Sequence, residues 1–237
     1  MRAGLFRLVL CAGLSLGAAA AAADDVYTTT RPTDGGIGKV YMGREIAYVM
    51  GHQGAFWLDR PGRDAEEGTA LLVDNLPLSP GDHVADIGAG TGYFSLRIAS
   101  RLSTGKVYAV DIQQEMLDLL AERAKTAKQG NVVGVLGTER DPNLPAGAID
   151  LILMVDAYHE FAYPKEMGEA MVRALKPGGK IALVEYRAED DSVPIKRAHK
   201  MTQAQAKREM AALGLSWVTT KDMLPWQHLM IFEKPKN

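Results

Sequence analysis

The stretch Val84-Ala85-Asp86-Ile87-Gly88-Ala89-Gly90-Thr91-Gly92-Tyr93-Phe94 decides the reading of this chain. A short apolar run, His83 to Ile87, leads into three alternating glycines. A segment with Phe94, Leu96, Ile98 and Ala99 on its apolar side follows. This pattern predicts a buried strand turning into a helix. Glycine lets the backbone turn sharply and leaves no Cβ between the loop and a ligand. The nicotinamide dinucleotide pattern G-x-G-x-x-G/A requires a small residue where this chain has Tyr93, and a tyrosine impedes close packing of helix on strand. Asp86, two residues before the first glycine, repels a pyrophosphate and suits an ammonium group. No G-x-x-x-x-G-K-S/T is present, which excludes a P-loop.

Outward from the loop, Lys106 to Val110 predicts the next strand, and Asp111 stands at its end, 19 residues after Gly92. A carboxylate there accepts the hydroxyl protons of a ribose. Ile112 beside it offers an apolar surface to a purine. The ligand so inferred is a nucleoside that carries an amine and no phosphates, a description that S-adenosylmethionine fits. Asp86 and Asp111 also have a purely structural reading as helix caps. Their joint occurrence around this glycine spacing favours the binding role.

The remaining periodicity alternates strand and helix. Residues 24–38 read as a loose polar arm, Val40 to Met50 as a first short helix, and Arg63 to Leu76 as an entry helix with acids early and apolar residues late. Helices are expected at Gly92–Leu102, Gln113–Gln129, Lys165–Leu175 and Thr202–Gly214. Strands are expected at Val132–Leu136, Ile149–Val155, Lys180–Glu185, Leu215–Thr220 and Gln227–Glu233. Short apolar strands separated by helices predict an α/β fold, its parallel sheet covered on both faces.

The motif pair VADIGAGTGYF and VYAVDIQQEML, with Asp150-Leu151-Ile152-Leu153 and Leu175-Lys176-Pro177-Gly178-Gly179-Lys180, resembles the class I S-adenosylmethionine-dependent methyltransferases. The likeness is to the ubiquinone/menaquinone-biosynthesis-type (type 11-like) group and covers residues 63–186. It implies a Rossmann-like fold with a seven-stranded, mostly parallel sheet, helices on both faces and an antiparallel last strand. It also implies S-adenosylmethionine across the carboxyl ends of the first two core strands. By position, Asp86 and the backbone at Gly88 and Gly90 serve the methionine moiety, and Gly92 completes the loop. Asp111 holds the ribose, with Ile112 beside the base. The acid that often binds the adenine amine is replaced here by Thr138, so that role falls to Glu139 or Asp141.

The segment Val155-Asp156-Ala157-Tyr158-His159-Glu160-Phe161 lies beside the sulfonium methyl in that family, which adds Asp156 to the expected cofactor residues. Methyl transfer is an in-line displacement governed largely by positioning. A protic acceptor also needs a base, and His159 is the best placed of the five histidines. Tyr158 and His159 are the expected catalytic residues; the other reading is that they only shape the pocket. No metal is expected. Asp156 and Glu185, at strand ends, form a thin ligand set for Mg²⁺. Phe56 to Arg63 and Tyr41 to Arg44 form a cap that closes over the cofactor or packs as ordinary structure; Trp226, Gln227 and His228 read as structural. The expected function is methyl transfer to a small-molecule acceptor. The alternative is an exported methyltransferase-like protein that binds a nucleoside ligand without catalysis.

Composition agrees with a packed enzyme domain: 47% of the 237 residues are hydrophobic and 24% charged. A net charge of −2 gives no support to nucleic-acid binding. The domains expected are a signal peptide at 1–23, an arm and cap at 24–62 and a methyltransferase domain at 63–237. Arg2 and Arg7 precede an uncharged stretch from Leu8 to Ala23, which ends in the small residues Ala21-Ala22-Ala23. This matches an export signal, and the stretch of 16 residues is short for a membrane span. Loss of Arg2 and Arg7 leaves 25 basic against 29 acidic residues, and removes the only cysteine, Cys11. The mature protein is therefore expected in the periplasm or outside the cell. If the segment is not cleaved, the chain is cytoplasmic or membrane-anchored. Expressed in a Gram-negative host, the chain is expected to lose about its first 23 residues, as read by intact-mass spectrometry. Retention of Arg7 in the main species would defeat this reading.

Overall fold

The computed structural model describes residue 1 and residues 26–236; apart from Met1, the expected signal segment 1–23 lies outside them. Three short strands, β1 (Tyr27–Thr29), β2 (Gly36–Tyr41) and β3 (Arg44–Ala47), form a small antiparallel sheet. Short helices α1 (Ala55–Leu58), α2 (Arg63–Glu67) and α3 (Thr69–Asn75) follow. The core then runs through β4 (His83–Ile87), α4 (Tyr93–Ala99), β5 (Lys106–Asp111), α5 (Gln114–Thr126), β6 (Val132–Leu136), β7 (Ile149–Val155), α6 (Pro164–Ala174) and β8 (Leu175–Arg187). It ends with β9 (Lys200–Met201), α7 (Gln203–Ala212), β10 (Ser216–Lys221) and β11 (Gln227–Glu233).

The main sheet has the order β10-β11-β8-β7-β4-β5-β6, with β9 beside the end of β8. The pairs β6–β5–β4–β7–β8 are parallel, and β11 is antiparallel to both neighbours. The chain reverses its winding at β4, where β5 lies on one side and β7 on the other. The carboxyl ends there form the crevice in which open α/β sheets bind ligands.

Alternation along the strands builds two cores, because successive side chains point to opposite faces. Ile152 and Met154 of β7 meet Met167 and Met171 of α6 and Met210 of α7. Leu151 and Leu153 meet Leu72 of α3 and Phe94 and Ile98 of α4. The expected sheet, with helices on both faces, is thus present.

Three local expectations need correction. Residues 40–50 are not a helix but most of a β-hairpin. Its turn is Met42-Gly43, with φ of +48° and +87°, and two positive φ values match the twist of flanking strands. The arm at 24–38 is not loose throughout, since Tyr27–Thr29 pairs with Lys39–Tyr41. The entry helix breaks at Gly68, whose φ of +65° ends α2 and starts α3 on a new axis.

An ion pair helps to fasten the small sheet to the core. Arg44 of β3 grips Glu209 of α7 with two parallel bonds, Nε to Oε1 at 2.9 Å and Nη2 to Oε2 at 3.0 Å. Both side chains are buried. The remaining Nη1 donates to the carbonyl of His159 at 3.1 Å. Arg44→Ala leaves the Glu209 carboxylate buried without its counter-ion, which costs about 3–5 kcal/mol. Urea unfolding is expected to show that loss, and the apolar pair Arg44→Met with Glu209→Leu to recover most of it.

Candidate active site

A cavity of about 440 Å³ opens at the carboxyl ends of β4, β5 and β7. This lies within the range of small-ligand sites. Of the residues expected from sequence, Gly88, Gly90, Asp111, Ile112, Thr138, Glu139, Asp156 and His159 line it. Asp86, Gly92 and Tyr158 are not among its lining residues.

The glycine loop hangs on the end of β5. The amides of Gly88 and Ala89 both donate to the Val110 carbonyl, at 2.9 and 3.0 Å. The Gly90 amide donates to Asp111 Oδ2 at 2.9 Å, and the Gln113 amide to Asp111 Oδ1 at 2.9 Å. Asp111 therefore shapes the loop and also faces the cavity; each carboxylate oxygen can accept a further proton from a ligand hydroxyl. Gly88 and Gly90 have φ of +78° and +52°, and a Cβ on Gly88 would stand 2.7 Å from that of Ala157. The loop tolerates no side chain there, and its bare backbone forms one wall of the cavity.

Asp86 lies behind this wall. Its Oδ2 accepts a bond from Ser95 Oγ at 2.6 Å, and burial pushes its carboxyl up to about 6. Gly92 faces Leu120, only 2.9 Å from where its Cβ would stand, so it serves helix packing. Tyr158 is fully buried, edge-on to Phe161 and under the Arg44 guanidinium, so it supports the cavity from behind. Beyond β6, Thr138 Oγ1 accepts the amides of Arg140 and Asp141, and Glu139 lines the cavity. Asp141 turns instead to Arg173 at 3.3 Å.

The N-terminal segment closes the cavity from above. The Met50 carbonyl accepts from Gln113 Nε2 at 2.9 Å, while the His52 amide donates to Gln113 Oε1 at 2.8 Å. The Met50 amide donates to Glu160 at 3.2 Å. Asp59 accepts from Thr91 Oγ1 at 2.8 Å and pairs with Arg123 at 2.5 Å. Val49, Met50, Trp57 and Leu58 thereby line the cavity, so residues 49–59 close over it.

Past the loop the cavity is rich in buried carboxylates. Asp156 has φ of +50°, and its Oδ2 accepts from Gln227 at 3.1 Å. Its Oδ1 is buried with no hydrogen-bond partner. Burial, with the charges of Glu67 and Glu185, pushes this carboxyl well up. The His159 ring is buried, with Nδ1 2.5 Å from Glu185 Oε2 and Nε2 3.1 Å from His199 Nδ1. Burial holds His159 and His199 down to about 4 each, and lifts Glu160 to about 7 and Glu185 to about 8. Asp156 and Glu185, the paired carboxylates considered from sequence, thus bind different partners. Tyr186 also lines the cavity and donates to Glu67 at 2.9 Å.

Sequence reasoning missed Gln113, Glu160, His199, Arg63 and Tyr186 as site residues. Gln113 stands two residues after Asp111 and was within reach of the motif. His199 lies 40 residues from His159, on a 3-10 turn that no local pattern marks. Gln227 was read as structural, and its bond to Asp156 shows what it supports.

An S-adenosylmethionine molecule fits these groups. Asp111 offers free acceptor capacity for ribose hydroxyls, and the glycine wall admits close backbone approach. The Asp156 carboxyl lines the cavity, and a cation such as the methionine ammonium beside it would offset the burial that favours its neutral form.

Comparison with known proteins agrees with this geometry. Residues 84–179 match a family model for a methyltransferase domain. An uncharacterized methyltransferase-like protein of Schizosaccharomyces pombe is 31% identical over 150 residues, covering 63% of this chain and 56% of that protein. A demethylmenaquinone methyltransferase of Symbiobacterium thermophilum is 33% identical over 109 residues, covering 45% of this chain and 43% of that protein. The chain thus spans about half the length of these curated relatives. Among solved structures, a SAM-dependent methyltransferase from Aquifex aeolicus shares the fold, with a TM-score of 0.74 at 21% identity over 78% of this chain and 99% of that one. Residues 84–179 thus match a methyltransferase domain, and the glycine loop, Asp111 and the strand order agree with the fold of the S-adenosylmethionine-dependent methyltransferase structure.

Proposed function

We propose that this chain transfers the methyl group of S-adenosylmethionine to a small acceptor bound inside the same cavity. The observation that carries this reading is the continuity of one 440 Å³ space, lined both by the glycine loop with Asp111 and by Asp156, His159 and Tyr186. When bound, the cofactor supplies an electrophilic methyl group for in-line displacement. Asp111 orients the ribose. Asp156 takes the ammonium end and gives up its proton as it does so. Ile112, Val49 and Met50 give the base an apolar setting, with Glu139 at hand for its amine. Trp57 and Leu58 keep water from the reacting atoms, which strengthens every electrostatic contact inside.

His159 serves the acceptor. Its Nδ1 is tied to Glu185, and its Nε2 stands with His199 Nδ1, 3.1 Å away, at the acceptor end of the cavity. The ring is held neutral by burial and is able to accept a proton or donate a lone pair at neutral pH. A cavity of about 440 Å³ favours a small molecule over a macromolecule, and the pattern of residues 1–23 supports an exported setting for the reaction.

Asp111→Ala is expected to weaken S-adenosylmethionine binding by about 1.5–3 kcal/mol in calorimetry, the range for hydrogen bonds to a charged group. An unchanged affinity in a folded variant would remove the ribose assignment. The sign for Asp156 also follows. Its carboxyl holds a proton more tightly than usual in the free chain, and a bound cation lowers that affinity for the proton. Cofactor binding should therefore release a proton as pH rises above the ordinary carboxylate range, and affinity should rise with pH there. Calorimetry in buffers of different ionisation enthalpy reads this directly, and Asp156→Asn should abolish it.

His159→Gln keeps approximate size and polarity but loses the basic nitrogen. With a true acceptor, kcat is expected to fall by roughly 10²–10⁴ while cofactor affinity stays near wild type. Transfer of labelled methyl from the cofactor to small molecules of a cell extract is the assay. Near-wild-type kcat in this variant would reduce His159 to a wall of the pocket.

A further inference from the structure

Three donor atoms converge at the acceptor side of the cavity: Nε2 of His159, Nδ1 of His199 and Oε1 of Glu160. Their separations are 3.1 Å between the two ring nitrogens, 3.6 Å from His199 to Glu160 and 4.0 Å from His159 to Glu160. A tetrahedral zinc ion with bonds of about 2.0–2.1 Å sets its ligand atoms about 3.3 Å apart. The observed triangle is close to that size before any ion draws it in. We propose that His159, His199 and Glu160 bind a divalent first-row transition metal ion, with its open coordination position turned into the cavity.

The donor set is the argument. Two imidazoles and one carboxylate, with a vacant position, is the composition of catalytic zinc sites and of open iron(II) sites. The outer contacts are those a metal histidine needs. The far nitrogen of His159 meets Glu185 at 2.5 Å, and the Glu185 Oε1 accepts the His159 amide at 3.2 Å, which fixes the ring in its plane. A carboxylate on the second ring nitrogen is the usual support of a metal-bound imidazole. Glu160 is anchored through its other oxygen, Oε2, by the Met50 amide. His199 is presented on its 3-10 turn between β8 and β9, and its ring meets that of His159 edge-on at 5.1 Å between centroids.

Charge points the same way. Glu160 and Glu185 are both largely buried, and the nearby Arg44 guanidinium is already gripped by Glu209. Lys196 also lines the cavity, but its ammonium is turned to Asp34 at 2.9 Å. Two imidazoles facing each other at 3.1 Å satisfy one proton between them, whereas a cation would use both lone pairs.

On the methyl-transfer reading, on which this part rests, the open position takes an oxygen or nitrogen donor of the acceptor. That makes the substrate class a molecule with a hydroxyl, phenol, carboxylate or amine able to coordinate a metal. The ion would hold the acceptor atom in the cavity and favour its deprotonated form.

The test uses the full chain, stripped with a chelator and titrated with Zn²⁺ by calorimetry, and with Co²⁺ followed by its visible absorption. S-Adenosylmethionine binding is measured on the same samples. Wild type is expected to take up a single equivalent of Zn²⁺ saturably, and Co²⁺ to show the intense bands of a low-coordinate nitrogen–oxygen site. Glu185→Gln should weaken Zn²⁺ binding about 10–100-fold, as the loss of an outer-shell partner does. His199→Ala and His199→Gln, which remove a direct ligand, should weaken it by more than that range. Both should keep cofactor binding, which reports that the chain is folded. Absence of saturable Zn²⁺ uptake by wild type, or uptake that ignores both His199 variants, would overturn the metal site while leaving the cofactor reading intact. Loss of cofactor binding in wild type would instead strike the methyl-transfer reading, and Zn²⁺ uptake would then still decide the metal site.

Discussion

A cluster of buried carboxyl groups governs the carboxyl edge of this sheet. Asp86, Asp111, Asp156, Glu160 and Glu185 all hold their protons more tightly than exposed carboxyls do, and burial is the leading cause at each. The arginines close to them are already spent on other acids: Arg44 on Glu209, and Arg63 on Glu67. Their hydrogen bonds to the loop, to Ser95, to Met50 and to His159 offset only part of the desolvation cost of burying such a cluster. A cationic ligand resolves it, and S-adenosylmethionine carries both a sulfonium and an ammonium.

The second organising feature is the roof. Nothing in an open α/β sheet requires residues 49–59 to cross its carboxyl edge, and here they are held by side chains that also belong to the site. Gln113, two residues after Asp111, clamps Met50 and His52; Glu160, beside His159, takes the Met50 amide. Thr91, in the glycine loop, bonds Asp59. Each clamp joins a motif residue to the N-terminal arm, so the order of the arm and the shape of the cofactor wall are coupled. The Arg44–Glu209 pair fixes the other end of the arm to α7 and reaches the carbonyl of His159. A disturbance of the small sheet therefore has a short mechanical path to the acceptor end of the cavity.

The core was legible because its signals are local. Alternating or continuous apolar runs at 83–87, 106–111 and 149–155 gave strands, and glycines at 88 and 90 with Asp111 gave the cofactor edge. The arm was misread because Val40 to Met50 contains apolar residues at helical as well as strand spacing. What decides the hairpin is the turn Met42-Gly43, where a methionine at φ +48° carries no turn signal of its own. Asp86 was taken for a ligand contact; its side chain points behind the loop to Ser95, a choice between two sides of one strand that motif spacing cannot make. His199 and Gln227 join the site from far along the chain, and only the parallel placement of β9 and the antiparallel return of β11 bring them there.

Asp156 shows how the fold sustains an arrangement that local preferences resist. Its backbone is left-handed, its carboxylate is largely out of water and one oxygen lacks a partner. Sparse backbone conformations cost of order 1–3 kcal/mol, less for aspartate than for most residues, and persist only where the surroundings over-determine them. Here the surroundings do so. The Asp156 amide donates to Val184 of β8 at 2.9 Å, continuing the parallel ladder, and Gln227 holds Oδ2 from the antiparallel strand beyond. Ala157 packs against the bare Gly88, so the chain cannot swing toward the loop without collision. The apolar alternation that buries Leu153 and Met154 on opposite faces pins the strand just before the turn. Two separate cores thus hold β7 in register, and the turn after it places the Asp156 carboxyl and then His159 along the cavity. Backbone strain and a desolvated carboxyl collect at that turn because the rigid sheet beneath it lets them.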